Sequence, residues 1–400
     1  MAANSVFLHV GLPKTGTTYI QTALWESRDR LAEAGVLVPG RTRQSTWQAV
    51  SDLLGRRPRG ADAPKVEGSG DVMLEAIREW HGDRVILSHE LLGTATSRQA
   101  QRLVRALGPR DVHVVLTVRD YSRLLPSVWQ QEIRKGRTWT WEEFLNAVQD
   151  PERGPATAGV AFWLRFDAER ILRIWGELIP ASNLHVVIVP PPRAAPDALL
   201  ARFAEATGVD ARALVVARPD ANTTIGLAET EVLRRLNVAL AGSLHEREYT
   251  RVVGKGVVPA LQERQASTRA TLPLDQQKWA AAKSADLVTF LQEHRCQVVG
   301  DLADLTPGPG QGGHDADELT DADLVEPMQA ALVAVSQAYA TFWSNNRRHE
   351  QTVSADVSTR AASRARALIY RVRISVLERA DDNRVFGSIA RTYLKRTSGS

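Results

Sequence analysis

The residues best suited to chemistry lie close together near the N-terminus, in Val10-Gly11-Leu12-Pro13-Lys14-Thr15-Gly16-Thr17-Thr18-Tyr19. A β-branched run, Ser5–Val10, enters this loop, and a helical pattern leaves it from Thr17. Backbone N–H groups at a helix start lack an intrahelical partner and point outward, so they form a site for an anion. Glycine lets the backbone approach an oxyanion closely. Lysine is scarce beside arginine in this chain, which sets Lys14 apart as a cation inside a Gly/Thr loop. The chemistry implied is the holding of a phosphate-like group. Metal chemistry has no comparable support: the nine histidines are dispersed without a His-x-x-x-His pair, and Cys296 is the single cysteine.

Such a loop needs a sheet behind it, and the first half of the chain alternates short β-branched runs with helical patterns, the signature of a parallel sheet. Strands are expected at Ser5–Val10, Val36–Val38, Arg84–Ser88, Val112–Val118 and Leu184–Val189. Between them the spacing predicts helices at Thr17–Ala34, Asp71–His81, Ser97–Leu107, Ser122–Lys135, Thr140–Gln149 and Phe162–Leu178. The remainder reads as mostly helical, over Asp197–Thr207, Ala228–Leu240, Leu274–His294 and Leu319–Trp343. The fold class is therefore α/β, a parallel sheet flanked by helices, with a helical C-terminal extension. The expected division is a core over 1–305, a Pro/Gly-rich linker over 306–318, and the extension with a basic tail over 319–400.

Gly11 and Gly16 have the separation of the Walker loop, Gly-x-x-x-x-Gly-Lys-Ser/Thr, but Thr17 stands in the lysine's place and the lysine has moved into the loop as Lys14. Pro13-Lys14-Thr15-Gly16-Thr17-Thr18 instead resembles the 5′-phosphosulfate loop of the sulfotransferases, which use 3′-phosphoadenosine-5′-phosphosulfate (PAPS) and release PAP. A second family signature, an arginine after a strand and a serine eight positions on, is matched by Arg119 and Ser127. Asn222-Thr223-Thr224-Ile225-Gly226 and Val298-Val299-Gly300-Asp301-Leu302 are further echoes, and the chain looks like the bacterial members from Ser5 to Pro307.

The resemblance implies a P-loop-like fold and a set of roles. Lys14 would sit beside the transferring sulfuryl group, and Thr15, Gly16, Thr17 and Thr18 around the 5′-phosphate. Arg119 and Ser127 would hold the 3′-phosphate. Tyr19 falls where relatives place an aromatic beside the adenine, and it reads equally as helix core. Arg251 and Lys255, in Arg251-Val252-Val253-Gly254-Lys255-Gly256, are the nearest counterpart of the family's Arg-Lys-Gly loop, though they do not align cleanly with it. An alcohol acceptor needs a base, and Leu87-Ser88-His89-Glu90 ends a strand, where open α/β sheets place their ligand crevice. Both His89 and Glu90 are candidates, with Glu90 favoured by a comparable Ser-x-Glu stretch in relatives. The transfer logic requires no metal.

The expected acceptor is a hydroxyl, less readily an amine, on a small molecule, carbohydrate or glycolipid. The alternatives are a P-loop nucleotide kinase, and a non-catalytic PAP- or PAPS-binding or surface-associated protein. Composition frames the choice. Four hundred residues, 44% hydrophobic and 24% charged, describe a globular chain rather than a disordered or collagenous one. A net charge of +4 is too mild to demand a nucleic acid. No apolar run reaches the ~18 residues of a membrane span. The start at Met1 shows no basic leader or cleavage site, so a cytoplasmic location is expected. Past Arg360, arginines alternate with Ala361, Ala365, Leu368, Ile369, Val372 and Val376 at helical spacing. That pattern suits a helix docked on its own domain, with weak membrane-surface contact as the sharper reading.

Overall fold

The computed structural model describes residues 5–57, 63–215, 225–264, 270–306 and 319–353, together with 367, 368 and 371. The linker at 307–318, the Asn222–Thr224 echo and the tail pattern beyond Arg360, Leu368 and Arg371 apart, lie outside the described residues. The chain divides into two compact units, Met1–Ala331 and Leu332–Ser400.

Among the described residues of the first unit there are six strands: β1 (Ser5–Gly11), β2 (Val36–Leu37), β3 (Arg84–Ser88), β4 (Asp111–Val118), β5 (Leu184–Ile188) and β6 (Gln297–Val299). Their order is β2-β3-β1-β4-β5-β6, and every neighbouring pair is parallel. The class expected from the alternating pattern is the one observed. Side chains leave a strand on alternate faces, and here both faces are apolar. Val6, Leu8 and Val10 of β1 join Val85, Leu87, Val114, Leu116, Val186 and Ile188 in the larger core. Phe7, Ile86, Val115 and Val187 point the other way, into a smaller core with Ile20, Leu24, Leu31 and Phe203. Burial on both faces is why these strands read as continuous apolar runs rather than alternating ones.

The order of the strands fixes where a ligand can enter. From β1 the chain crosses toward β2, whereas from β4 it proceeds to β5 on the other side, so connections diverge between β1 and β4. A crevice opens beyond the strand ends at such a switch point. The β1–β4 register also shifts between His9 and Gly11, where β1 turns into its loop.

The opposite edge of the sheet is closed by its own bonds. His113 Nε2 lies 3.0 Å from Asp111 Oδ2, and its Nδ1 lies 3.0 Å from His185 Nε2. The Asn183 amide donates to Asp111 Oδ1 at 2.6 Å and to the Val112 carbonyl at 3.1 Å. Phe7 stacks on His113 with ring centres 4.4 Å apart.

Several elements differ from expectation. The helix expected over Thr17–Ala34 is two, Thr17–Glu26 and Arg28–Glu33, turning at the buried Ser27, whose hydroxyl accepts from the Val215 amide. The one expected over Phe162–Leu178 is also two, Ala156–Phe166 and Ala168–Gly176, because Asp167 leaves helical geometry and caps the second through the Arg170 amide. The last helix runs further than Leu319–Trp343, over Asp321–Val353. Strand β6 and a π-helical turn at Thr250–Val257 were not expected.

Candidate active site

The loop after β1 is shaped by two left-handed residues, Lys14 (φ 64°) and Gly16 (φ 86°). Successive turns of that kind aim backbone N–H groups into a common concavity. Glycine suits position 16 chiefly through its backbone, and any side chain there would also displace the end of Leu199. Its φ is one L-residues rarely adopt, and an added Cβ would meet Leu199 Cδ2 at 2.3 Å. Gly16 begins the Thr17–Glu26 helix with no side-chain cap and no acidic residue in the first turn. Its positive end is therefore left for a ligand.

The loop is tied to β4. Leu12 N donates to the Thr117 carbonyl at 2.9 Å, and the Thr117 hydroxyl donates to the Gly11 carbonyl at 2.9 Å. The Thr15 hydroxyl meets that of Thr117 at 2.5 Å. His9, beneath them, has Nε2 3.4 Å from Thr117 Oγ1 and Nδ1 2.7 Å from Ser88 Oγ. Burial brings its pKa down to about 4 against the upward pull of Glu90, so the ring is neutral and serves as a spacer between strands. Arg119, directly after β4, donates from Nη1 to the Lys14 carbonyl at 3.0 Å. The start and the middle of the loop thus rest on the end of β4 and the residue that follows it.

The Lys14 ammonium is half-buried among cations. Burial first, then Arg134, Arg119 and Lys135, lower its pKa to about 8. A positive group held beside other positive groups is stabilised when an anion arrives.

At the end of β3, Glu90 enters the same region. Its Oε1 accepts the Thr17 hydroxyl at 2.5 Å, and its Oε2 accepts the Gln21 amide at 3.3 Å. Burial opposes its charge, but the Thr17 bond, its own backbone amide, His89 and Gln21 together hold the carboxyl below its usual range. Glu90 is therefore an ionised carboxylate. His89 accepts the Leu91 amide on Nδ1 at 3.1 Å, capping the short turn Glu90–Thr94. Its pKa is lowered by burial, against Glu90 and with Arg56, so this ring is also neutral. Gly93 lets the turn lie against β1: an added Cβ would stand 2.5 Å from the Val10 carbonyl oxygen.

The expected residues are placed as follows. Lys14, Thr15, Gly16, Thr17, Glu90, His89 and Arg119 converge on the ends of β1, β3 and β4. Thr18 is exposed on the first helical turn, and Tyr19 lies half-buried on the smaller core with its hydroxyl 3.3 Å from the Pro196 carbonyl. Ser127 lies half-buried within the Tyr121–Arg134 helix, and its hydroxyl has no protein partner among the described residues. Arg251 and Lys255 are exposed on the π-helical turn. That turn follows Tyr249, whose ring lies over Gly136 beyond the Tyr121–Arg134 helix, and neither residue is among the cations that act on Lys14.

Thr117, Gln21, Gly93, Arg134 and Lys135 were not singled out from the sequence. Thr117 reads as another β-branched strand residue, and Arg134-Lys135 as basic residues ending a helix. Among the described residues, no group of three or more His, Cys, Asp or Glu side chains could hold a metal ion, and no helix is long and apolar enough to cross a membrane.

No protein-family model and no curated protein matches this chain. Among solved structures, it is similar to the crystal structure of a sulfotransferase from Alicyclobacillus acidocaldarius, with 13% identity, a TM-score of 0.35, and an alignment covering 61% of this chain and 95% of that one.

Proposed function

We propose that the chain is a sulfotransferase that moves a sulfuryl group from PAPS to an acceptor hydroxyl. The observation that carries this reading is the pairing of a cation-lined, uncapped helix start at Lys14–Thr17 with an ionised carboxylate, Glu90, bonded to the first helical residue. Anion holding and proton removal are the two demands of sulfuryl transfer to an alcohol, together with in-line placement.

In this reading the acceptor oxygen attacks sulfur as the bond from sulfur to the 5′-phosphate oxygen breaks. The acceptor proton passes to Glu90, and PAP departs with the electron pair of the broken bond. Lys14 and the loop amides of Thr15–Thr18 neutralise charge growing on the leaving phosphate. Arg119, with Ser127, holds the 3′-phosphate, which does not react. The Thr17 and Gln21 bonds keep the Glu90 carboxylate charged and aimed. The Nδ1 atom of His89 is occupied by the Leu91 amide, which favours Glu90 as base and His89 as the residue that shapes its turn. Carbohydrates, glycolipids and small hydroxylated molecules are the acceptor classes we propose, and Arg251 and Lys255 stay candidates for the outer rim of the nucleotide site.

Nucleotide choice tests the reading. PAP or PAPS is expected to raise the melting temperature, since a ligand at 100 times its dissociation constant adds about 2.7 kcal/mol of stability. ATP with magnesium is expected to do far less, because the Walker lysine position holds Thr17. Equal stabilisation by ATP–magnesium overturns the proposal in favour of a kinase.

A further inference from the structure

The Ser97–Ala106 helix carries charge that the nucleotide site does not use. Its Ala100 and Leu103 are buried, while Arg98, Arg102 and Arg105, at steps of four and three, share the opposite, exposed face. These arginines line a hollow of about 550 Å³ with Gln101, Thr96 and the Leu54-Gly55 turn, and no carboxylate lines it among the described residues. Bonds to the end of the Arg43–Leu53 helix fix its floor. Gln99 Nε2 donates to the Leu54 carbonyl at 2.6 Å, and Arg102 Nη2 donates to the Leu53 carbonyl at 2.8 Å. Gly55, at φ 67°, leaves room for the Arg102 guanidinium, since an added Cβ would stand 2.7 Å from Nη2. Arg98 and Arg105 have no hydrogen-bond or ion-pair partner among the described residues, so their donors face the hollow unused.

The lining selects the ligand. Sites of this size, ~300–1,000 Å³, are mostly apolar, whereas here Leu54 is the one apolar side chain among guanidinium, amide and hydroxyl groups. Such a wall suits a hydrated, hydroxyl-rich molecule that carries acidic groups. Its concavity fits an entering chain better than a flat lipid surface, and it has no aromatic ring on which a nucleobase could stack. The hollow also adjoins the turn that carries Glu90. Thr96 lies at most about 15 Å from Glu90, given ~2.0 Å per residue through the Glu90–Thr94 turn and ~3.4 Å beyond it. On the other wall, Arg56 follows Gly55 and donates from Nη2 to the Thr94 carbonyl at 3.0 Å and to its hydroxyl at 2.5 Å.

We propose that this hollow binds an acidic oligosaccharide, carboxylated or sulfated, as the outer part of an acceptor whose hydroxyl reaches Glu90. The acceptor role rests on the sulfuryl-transfer reading; the binding does not. Calorimetric titration of the full chain tests it, with a chondroitin sulfate oligosaccharide, an oligogalacturonate and a neutral oligosaccharide of equal length. At least one acidic probe is expected to bind, and the neutral one at least about tenfold more weakly. An Arg98→Gln, Arg105→Gln double variant is expected to weaken the acidic probe roughly tenfold or more. An Arg30→Gln, Arg247→Gln variant, equal in charge but altered at exposed positions outside the hollow, should change it little. Binding of neither acidic probe, or equal losses in the two variants, overturns the proposal. Tighter binding of phosphatidylserine vesicles or of a single-stranded oligonucleotide, lost in the first variant, overturns the choice of ligand. A PAP thermal shift on the same samples keeps the two readings apart. If PAP stabilises the chain and no acidic probe binds, the hollow alone is misread. If an acidic probe binds through Arg98 and Arg105 while PAP does nothing, the hollow stands and sulfuryl transfer falls.

Discussion

At the edge where β4 and β5 begin, Asp111, His113, His185 and Asn183 bond to one another, each acceptor matched by a donor. At the edge where β1, β3 and β4 end, the balance differs. Lys14, Arg119, Arg134 and Lys135 gather near an uncapped helix start; Lys135 is paired with Glu132, and Glu90 is bonded to a hydroxyl and an amide rather than to a cation. Both edges contain half-buried polar groups with shifted pKa values, so a shift alone does not mark a binding site. What separates them is surplus. A network whose donors and acceptors match makes the sheet rigid, whereas cations that lower one another's affinity for a proton favour the arrival of an anion.

The contrast predicts different consequences for substitution at the two edges. The largest is expected at Glu90. Glu90→Gln should cut turnover by about 10²–10⁴-fold while leaving PAP affinity nearly intact, with His89→Asn costing less. Steady-state rates and calorimetric PAP binding measured on both variants decide this, and a more damaging histidine change would reverse the assignment.

Arg119→Ala comes next. Losing a buried charge contact should weaken PAP by ~2–5 kcal/mol. Its bond to the Lys14 carbonyl adds a smaller loss, ~1 kcal/mol, shared with adenosine-5′-phosphosulfate, which lacks the 3′-phosphate. Titration with both nucleotides separates the two parts. Equal losses would confine Arg119 to supporting the loop. Ser127→Ala should follow the same selectivity at about 1 kcal/mol.

At the closed edge, Asn183→Ala removes a buried donor to Asp111 and Val112 and should lower stability by ~1–3 kcal/mol without changing PAP affinity. Chemical denaturation with a parallel nucleotide titration would erase the comparison if affinity fell as well.

The smallest effect is in pH. Lys14 in the free protein titrates at about 8, and a bound anion favours its charged form. PAP affinity should therefore be full below pH 8 and fall, by at most about tenfold per unit, above it. The closed edge responds on the acid side. His185 is lowered to about 4 by burial and then by His113, so the unfolded chain takes up the proton first. Its contribution to stability is present above pH 6.5 and lost between 6.5 and 4.

How far the sequence foreshadowed this arrangement depended on the kind of signal. The β1 loop was legible because a buried run, two glycines and a helix start are local features. The ends of β3 and β4 were legible for the same reason. Strand β6 was not, since three residues after a 20-residue helix are too few to show a period. The helix break at Asp167 carried a readable cap, but the apolar spacing on either side runs through it. Thr117 was invisible as a functional residue because its role exists only once β4 lies beside β1, 102 positions from Thr15. The π-helical turn, likewise, has no compositional signature.

One consequence of the β4 end concerns measurement. Thr117 locks the loop at one end, and Arg119, two residues later, reaches its middle at the Lys14 carbonyl. Two residues of extended chain span about 7 Å, a length set by covalent geometry. In the proposed complex this stretch acts as a gauge block between the 5′ and 3′ ends of the nucleotide. Side-chain replacement can weaken the grip at either end, but only inserting or deleting a residue can recalibrate the gap. The spacing between the two holds is then kept by the backbone of β4, while the strength of each is open to single substitutions.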